Sequence, residues 1–237
     1  MKVLKLTFIL VQPKIPAVAI AGSNNFFPVH RVYCIGRNYA DHAREMGHDP
    51  DREPPFFFQK SPDNLVPAGA PKGGIFPYPT KSANVQHEIE MVCALGEGGS
   101  DVSKEEASNL IWGYGVGLDM TRRDLQWEAK KTGRPWDIAK AFECSAPISS
   151  LYPAAETKDL DKACIWLNVN DELRQKGYLN QLIWSVPETI SYLSGFFQLR
   201  PGDLIFTGTP AGVGEVCRGD VLKGGVEGLG ELKITVT

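Results

Sequence analysis

The chain has 237 residues, 43% hydrophobic and 22% charged, enough to bury one substantial core and to form one domain, with or without a small appendage. Its 25 basic and 28 acidic side chains sum to −3, too near neutral to point to nucleic acid or an anionic membrane as a partner. The five cysteines, Cys34, Cys93, Cys144, Cys164 and Cys217, are scattered, odd in number and without a C-x-x-C pair, which suits a reduced cytoplasm.

Met1 to Val11 is apolar with Lys2 and Lys5, but Gln12-Pro13-Lys14 interrupts it after an apolar core of about six residues, too short for a secretory signal. No stretch is long enough to span a bilayer. Residues 1–30 read as an irregular leader with one strand. Arg31 to Gly36 has strand composition and leads into Arg37 to Gly47, which reads as a short helix with Asn38 as N-cap and Gly47 as its stop. His42 and Glu45 then fall three residues apart on one face. A carboxylate bonded to one imidazole nitrogen orients the ring and makes the other nitrogen a better base, the arrangement needed to deprotonate a water. A solvated surface pair is the alternative.

Further along, His87-Glu88-Ile89-Glu90 reads as a strand, so Glu88 and Glu90 project to the same face. Two carboxylates held so close raise each other's pKa unless a positive charge sits between them, and a divalent cation meets that need. Asp119 ends the glycine-rich run Gly115-Val116-Gly117-Leu118, which reads as a second strand. Three carboxylates leave about three positions of an octahedron open, which suits Mg²⁺ or Mn²⁺ and not the nitrogen and sulfur ligands of zinc. Ca²⁺ is the cation expected to replace either in crystals. The same spacing also fits a solvated strand face, with Asp119 capping the next helix.

Capping-box patterns at Ser103, Thr121 and Ser185 predict three helices, the last followed by Ile190, Leu193 and Phe197 at helical spacing. Cys164 to Val169 and Leu204 to Thr207 read as strands, and Leu232, Ile234 and Val236 alternate as another. Arg200-Pro201-Gly202-Asp203 is a turn. The helix after Asp119 carries Arg122, Arg123, Gln126, Lys130 and Lys131, most of them expected to face solvent. Lys140 has apolar neighbours and is expected to be partly buried and paired with a carboxylate. Gly208 to Gly214, with Thr209, offers backbone N–H groups as a carboxylate cradle. It matches neither a Walker A loop nor a dinucleotide fingerprint. The whole is α+β and rich in strands.

The strings Tyr33 to His42, Phe56-Phe57-Phe58-Gln59-Lys60, His87 to Glu90, Gly117 to Asp124 and Pro201 to Pro210 resemble, in order, the fumarylacetoacetate hydrolase superfamily. That resemblance implies a mixed β-sandwich roll over residues 31–237 as the catalytic domain, a metal held by Glu88, Glu90 and Asp119, and a homodimer. It also implies that Lys140 lies beside the metal to stabilise an anionic intermediate, and that Arg123 and Gln126 contact substrate. Within the superfamily the chain resembles the acylpyruvate hydrolase branch, and Ile15 to Val29 is similar to bacterial fumarylpyruvate hydrolases. The substrate so implied is a small 2-oxo acid, most specifically fumarylpyruvate, cleaved to fumarate and pyruvate in gentisate-type aromatic catabolism. Its far carboxylate needs a cation, for which Arg37, Arg123 and a residue near His30 and Arg31 are the candidates, with Thr209 in the carboxylate cradle. Oxaloacetate decarboxylation, isomerisation or hydration of unsaturated 2-oxo acids, and a non-enzymatic metal-binding module are the rival readings.

Overall fold

The computed structural model describes residues 9–45, 53–158 and 160–237. At its centre lies the strand Ile89–Leu95, buried along its whole length. Ile89, Met91, Cys93 and Leu95 point into one core with Ile165, Leu167, Leu222 and Ile234. Val92 and Ala94 point the other way, onto Val32, Cys34, Leu204 and Phe206. Strand alternation therefore places Glu88 and Glu90 on the side of Val92, as the sequence spacing predicts.

Two sheets enclose the larger core. One runs Phe56–Lys60, Arg31–Gly36, Asp203–Phe206, Ile89–Leu95, Ile111–Leu118, Ala146–Ile148 and Leu65–Pro67, with Tyr152–Pro153 also paired to Ile111–Leu118. The other runs Glu172–Tyr178, Cys164–Val169, Val221–Val226, Glu231–Val236 and Gly74–Phe76. In the first sheet Glu90 lies opposite Gly117. A Cβ at Gly117 would stand 2.5 Å from Phe206 Cε1 and 2.9 Å from Val92 Cγ2, so only glycine lets Phe206 close over the strand pair. The architecture is α+β, strand-rich and curled, with short helices at the sheet margins.

A small ribbon positions the chemistry. Val85–His87 pairs on one side with Thr121–Arg122 and on the other with Gly214–Glu215. The residues before Glu88, after Asp119 and after Thr209 are thereby stitched together. The leader differs from expectation in forming a hairpin, Ala17–Ala19 against Phe26–Pro28, whose Val18 and Phe27 enter the smaller core. No helix among the described residues is long and apolar enough to cross a membrane.

Two helix caps differ from the sequence reading. Thr121 lies in a strand and donates to the Asp119 carbonyl, so the helix Arg123–Thr132 starts without a side-chain cap. Asp124 instead binds Ser82 Oγ and the Ala83 N–H. Asn38 does not cap the helix Ala40–Glu45 either. Its amide donates to the Thr207 and Trp184 carbonyls and accepts from the Trp184 N–H, locking three distant segments together. Gly47 lies outside the described residues. The expected capping boxes at Ser103 and Ser185 are both formed.

Candidate active site

Glu88, Glu90 and Asp119 meet beneath a cleft, each buried and each with a carboxylate oxygen within 4.8 Å of the other two. Glu88 sits at the break between Val85–His87 and Ile89–Leu95, and Asp119 directly follows Ile111–Leu118, where its N–H donates to the Glu88 carbonyl at 2.8 Å. Three buried cations balance the three acids. Lys140 Nζ donates to Glu88 Oε2 at 2.7 Å and to Asp119 Oδ2 at 2.6 Å. Arg123 grips the other oxygen of Glu88, and Gln86 and Gln126 hold the rest of its guanidinium at 2.7 and 2.6 Å.

Lys60 is the third cation, and the sequence reading missed it. Its Nζ lies 2.8 Å from Asp119 Oδ1 and donates to the carbonyls of Met120 and Lys140. The available signal was a lone lysine two residues after a run of three phenylalanines, the same kind of apolar context that singled out Lys140. Of the polar residues on the helix Arg123–Thr132, Arg123 and Gln126 are buried in the cleft, while Lys131 is exposed.

The electrostatics of the acids are uneven. Burial alone would raise the Glu88 carboxyl, but the charges of Lys140 and Arg123 outweigh it and hold that carboxyl well below the usual range. Burial tends to lower Lys140, yet Asp119 and Glu88 hold it above its ordinary value. Glu90 accepts from the Gly208 N–H at 2.8 Å and forms no ion pair among the described residues. Burial, then the charges of Asp119 and Glu88, push its carboxyl well up. Asp119 Oδ1 is buried and makes no hydrogen bond despite the nearby Lys60. A buried, hard, all-oxygen set with one acid short of a positive partner fits a divalent cation of the Mg²⁺ or Mn²⁺ type. With all three acids ionised the cluster is neutral, so such a cation would leave two positive charges to meet an anionic ligand.

His42 lines the same cleft, on the helix Ala40–Glu45. Its Nδ1 lies 3.3 Å from Glu45 Oε2, and because a carboxylate only accepts, Nδ1 carries the proton and Nε2 is left as acceptor. Glu45 is held low by that bond, with help from the backbone N–H groups of Gly212 and Val213. The Gly208 to Gly214 loop thus spends three of its N–H groups on the protein's own carboxylates, Gly208 on Glu90 and Gly212 and Val213 on Glu45. Gly208 has φ +97°, and a Cβ there would meet Asn38 Cβ at 2.7 Å, so the loop requires glycine at this point.

Thr209 also lines the cleft. Its Oγ1 accepts from Gln175 Nε2 at 2.8 Å, which leaves the hydroxyl proton free to donate. Gln175, from Glu172–Tyr178, is fully buried and fully bonded. Its Nε2 also donates to the Pro210 carbonyl, and its Oε1 accepts from His87 Nδ1 and the Ile89 N–H. One amide from the second sheet therefore bolts the Glu88 strand break to the Thr209 loop, a pairing with no signal in the local sequence.

A curled α+β fold that buries three carboxylates and three counter-ions beneath one cleft, with a His–Glu pair at its edge, is the arrangement of an enzyme of the fumarylacetoacetate hydrolase type. The chain belongs to that family, whose model, described as fumarylacetoacetate (FAA) hydrolase C-terminal, matches residues 31–237. It superposes on a crystal structure of fumarylpyruvate hydrolase from Pseudomonas aeruginosa in complex with Mn²⁺ and pyruvate, with a TM-score of 0.95 and 53% identity over 98% of this chain and 99% of that one. It is 44% identical to a fumarylpyruvate hydrolase from Ralstonia over 81% of this chain and 98% of the relative. It is also 41% identical to a mitochondrial oxaloacetate tautomerase of Bos taurus over 86% of this chain and 90% of the relative.

Proposed function

We propose that the protein hydrolyses the carbon–carbon bond of acylpyruvates, with fumarylpyruvate, cleaved to fumarate and pyruvate, as its substrate. The observation that carries this reading is the presence of His42, bonded to Glu45, in the same cleft as the carboxylate cluster. The two fumarylpyruvate hydrolases described above support it by their similarity over 98% and 81% of the chain.

A divalent cation held by Glu88, Glu90 and Asp119 would act as a Lewis acid toward the 2-oxo and carboxylate oxygens of the substrate. His42, oriented by Glu45, takes a proton from water at Nε2, and the hydroxide attacks the distal carbonyl of the 2,4-dioxo acid. The carbon–carbon bond breaks, and its electron pair passes to the pyruvate half as an enolate. Lys140, already charged and fixed against Glu88 and Asp119, faces that developing charge without having to reorganise. Arg123 holds Glu88 in place, and Thr209 donates its hydroxyl proton to the substrate carboxylate. Protonation of the enolate carbon releases pyruvate. The five free thiols fit a reduced cytoplasm as the setting, and a homodimer is the assembly that goes with this family reading.

Oxaloacetate chemistry is the second reading, favoured by the similarity to the oxaloacetate tautomerase. Decarboxylation of oxaloacetate needs no attacking water and would leave His42 without its principal task, whereas enolisation would use His42 as the base that takes the C3 proton. The test is to incubate Mn²⁺-loaded protein separately with fumarylpyruvate, acetylpyruvate and oxaloacetate and compare kcat/KM. The expected order places fumarylpyruvate first. Faster turnover of oxaloacetate than of either acylpyruvate would replace the hydrolase reading.

A further inference from the structure

The cations on the floor of the cleft each have a buried acid, but two at its mouth, among the described residues, do not. Arg37 follows the strand Arg31–Gly36 and lines the cleft. Its nearest acid is Glu53, 3.8 Å away with a side chain 68% exposed, and its Nε is buried without a hydrogen-bond partner. Arg37 also holds φ at +57°, a conformation that costs an L residue free energy and is kept only where the surroundings demand it. Lys130 enters the same cleft from the helix Arg123–Thr132, with its ammonium 5.3 Å from the centre of the Trp136 ring and no ion pair among the described residues. Burial first, then the charges of Arg37 and Arg123, push Lys130 down to about 8, as expected for cations crowded together without an anion.

The other candidates are already engaged. Arg123 spends its donors on Glu88, Gln86 and Gln126. His30 and Arg31 bind Asp203 at the start of its strand and do not line the cleft. Phe56, Phe58 and Trp136 also line it, forming apolar walls suited to a flat, unsaturated acyl chain.

We propose that Arg37 and Lys130 form a carboxylate clamp at the mouth of the cleft, which selects 2-oxo acids carrying a second carboxylate at the far end of the chain. This rests on the reading of the floor as the 2-oxo acid site. The two cations grip the distal carboxylate from the strand side and the helix side, and the guanidinium supplies the donor that now lacks a partner.

Binding tests this without turnover. The probes are 2-oxoheptanedioate and 2-oxoheptanoate, equal in length, differing in the far carboxylate and both lacking the 4-oxo group that hydrolysis requires. Mn²⁺-loaded protein is expected to bind the dicarboxylate about 10- to 100-fold more tightly, the worth of hydrogen bonds to a charged group. The double variant Arg37→Gln, Lys130→Gln is expected to bind the two acids nearly equally while keeping its Mn²⁺ affinity. The single variant Lys130→Gln, at a half-buried helix position, provides the same comparison with a smaller loss if the double variant does not fold. Equal affinities in the unmodified protein, a preference that persists in the variants, or equal losses for both acids would overturn the clamp. Failure to hydrolyse fumarylpyruvate with the binding preference intact would sink the hydrolase reading alone.

Discussion

Glu88, Glu90 and Asp119 stand at the ends of, or within, strands that are paired on both sides, and Lys60, Lys140 and Arg123 reach them from three other elements. Arg37, His42, Glu45 and Lys130 come instead from a strand-to-helix turn and from two helices at the cleft's edge, and they remain part-exposed or loosely bonded. The difference separates two tasks. Paired strands fix the three acids, which must not move when a highly charged ligand enters, because a displaced buried charge is costly. Helix and turn residues supply the groups that meet variable parts of a substrate, where adjustment is useful.

The largest effect should come from breaking the floor. Asp119→Asn removes a proposed cation ligand and the shared partner of Lys60 and Lys140. Mn²⁺ affinity measured by titration calorimetry is expected to fall at least 100-fold, since even changes behind a ligand cost about 10- to 100-fold. Breaking a buried pair should also lower the unfolding free energy by about 3 kcal/mol, read from urea denaturation. Unchanged metal affinity would remove Asp119 from the ligand set.

An intermediate effect is expected at the edge. His42→Ala should reduce fumarylpyruvate cleavage by about 10² to 10⁴, the usual contribution of a general base, while leaving Mn²⁺ affinity and the fold in place. Any oxaloacetate decarboxylation should fall much less. Equal losses on the two substrates would mean that His42 positions the ligand and not the water.

The smallest effect is a pH dependence confined to the mouth. Lys130 is charged below about 8 in the free protein and loses that charge as pH rises through this value. Arg37 and Arg123 carry guanidiniums, Lys140 is held above its ordinary value and Glu88 well below the usual carboxylate range, so Lys130 is the group that changes. kcat/KM for fumarylpyruvate relative to acetylpyruvate is therefore expected to decline several-fold between pH 7 and 9. Lys130→Arg should abolish the decline, because a guanidinium remains charged throughout. A ratio that stays flat in the unmodified protein would exclude Lys130 from the discrimination.

Much of this was legible in the sequence because it depends on local periodicity. Alternation along a strand put Glu88 and Glu90 on one face, a three-residue helical step put Glu45 against His42, and an apolar setting marked Lys140 for burial. The strands Arg31–Gly36 and Cys164–Val169 fall where composition placed them, and the capping boxes at Ser103 and Ser185 are formed. Backbone geometry fixes these relations within a few residues, whatever the rest of the chain does.

The tertiary structure alone decided which distant groups meet. Lys60 reaches Asp119 because the strand Phe56–Lys60 and the helix Asp137–Lys140 pack together, Gln175 reaches His87 and Thr209 across the second sheet, and Asn38 leaves its helix to join Thr207 and Trp184. Thr121 gave up its cap because strand pairing to Gln86 claimed its backbone. Each of these contacts joins residues far apart in sequence, whose separation carries no periodic signal. The strand order brings them together, and the cost of leaving a buried charge or amide unpaired then selects the partners.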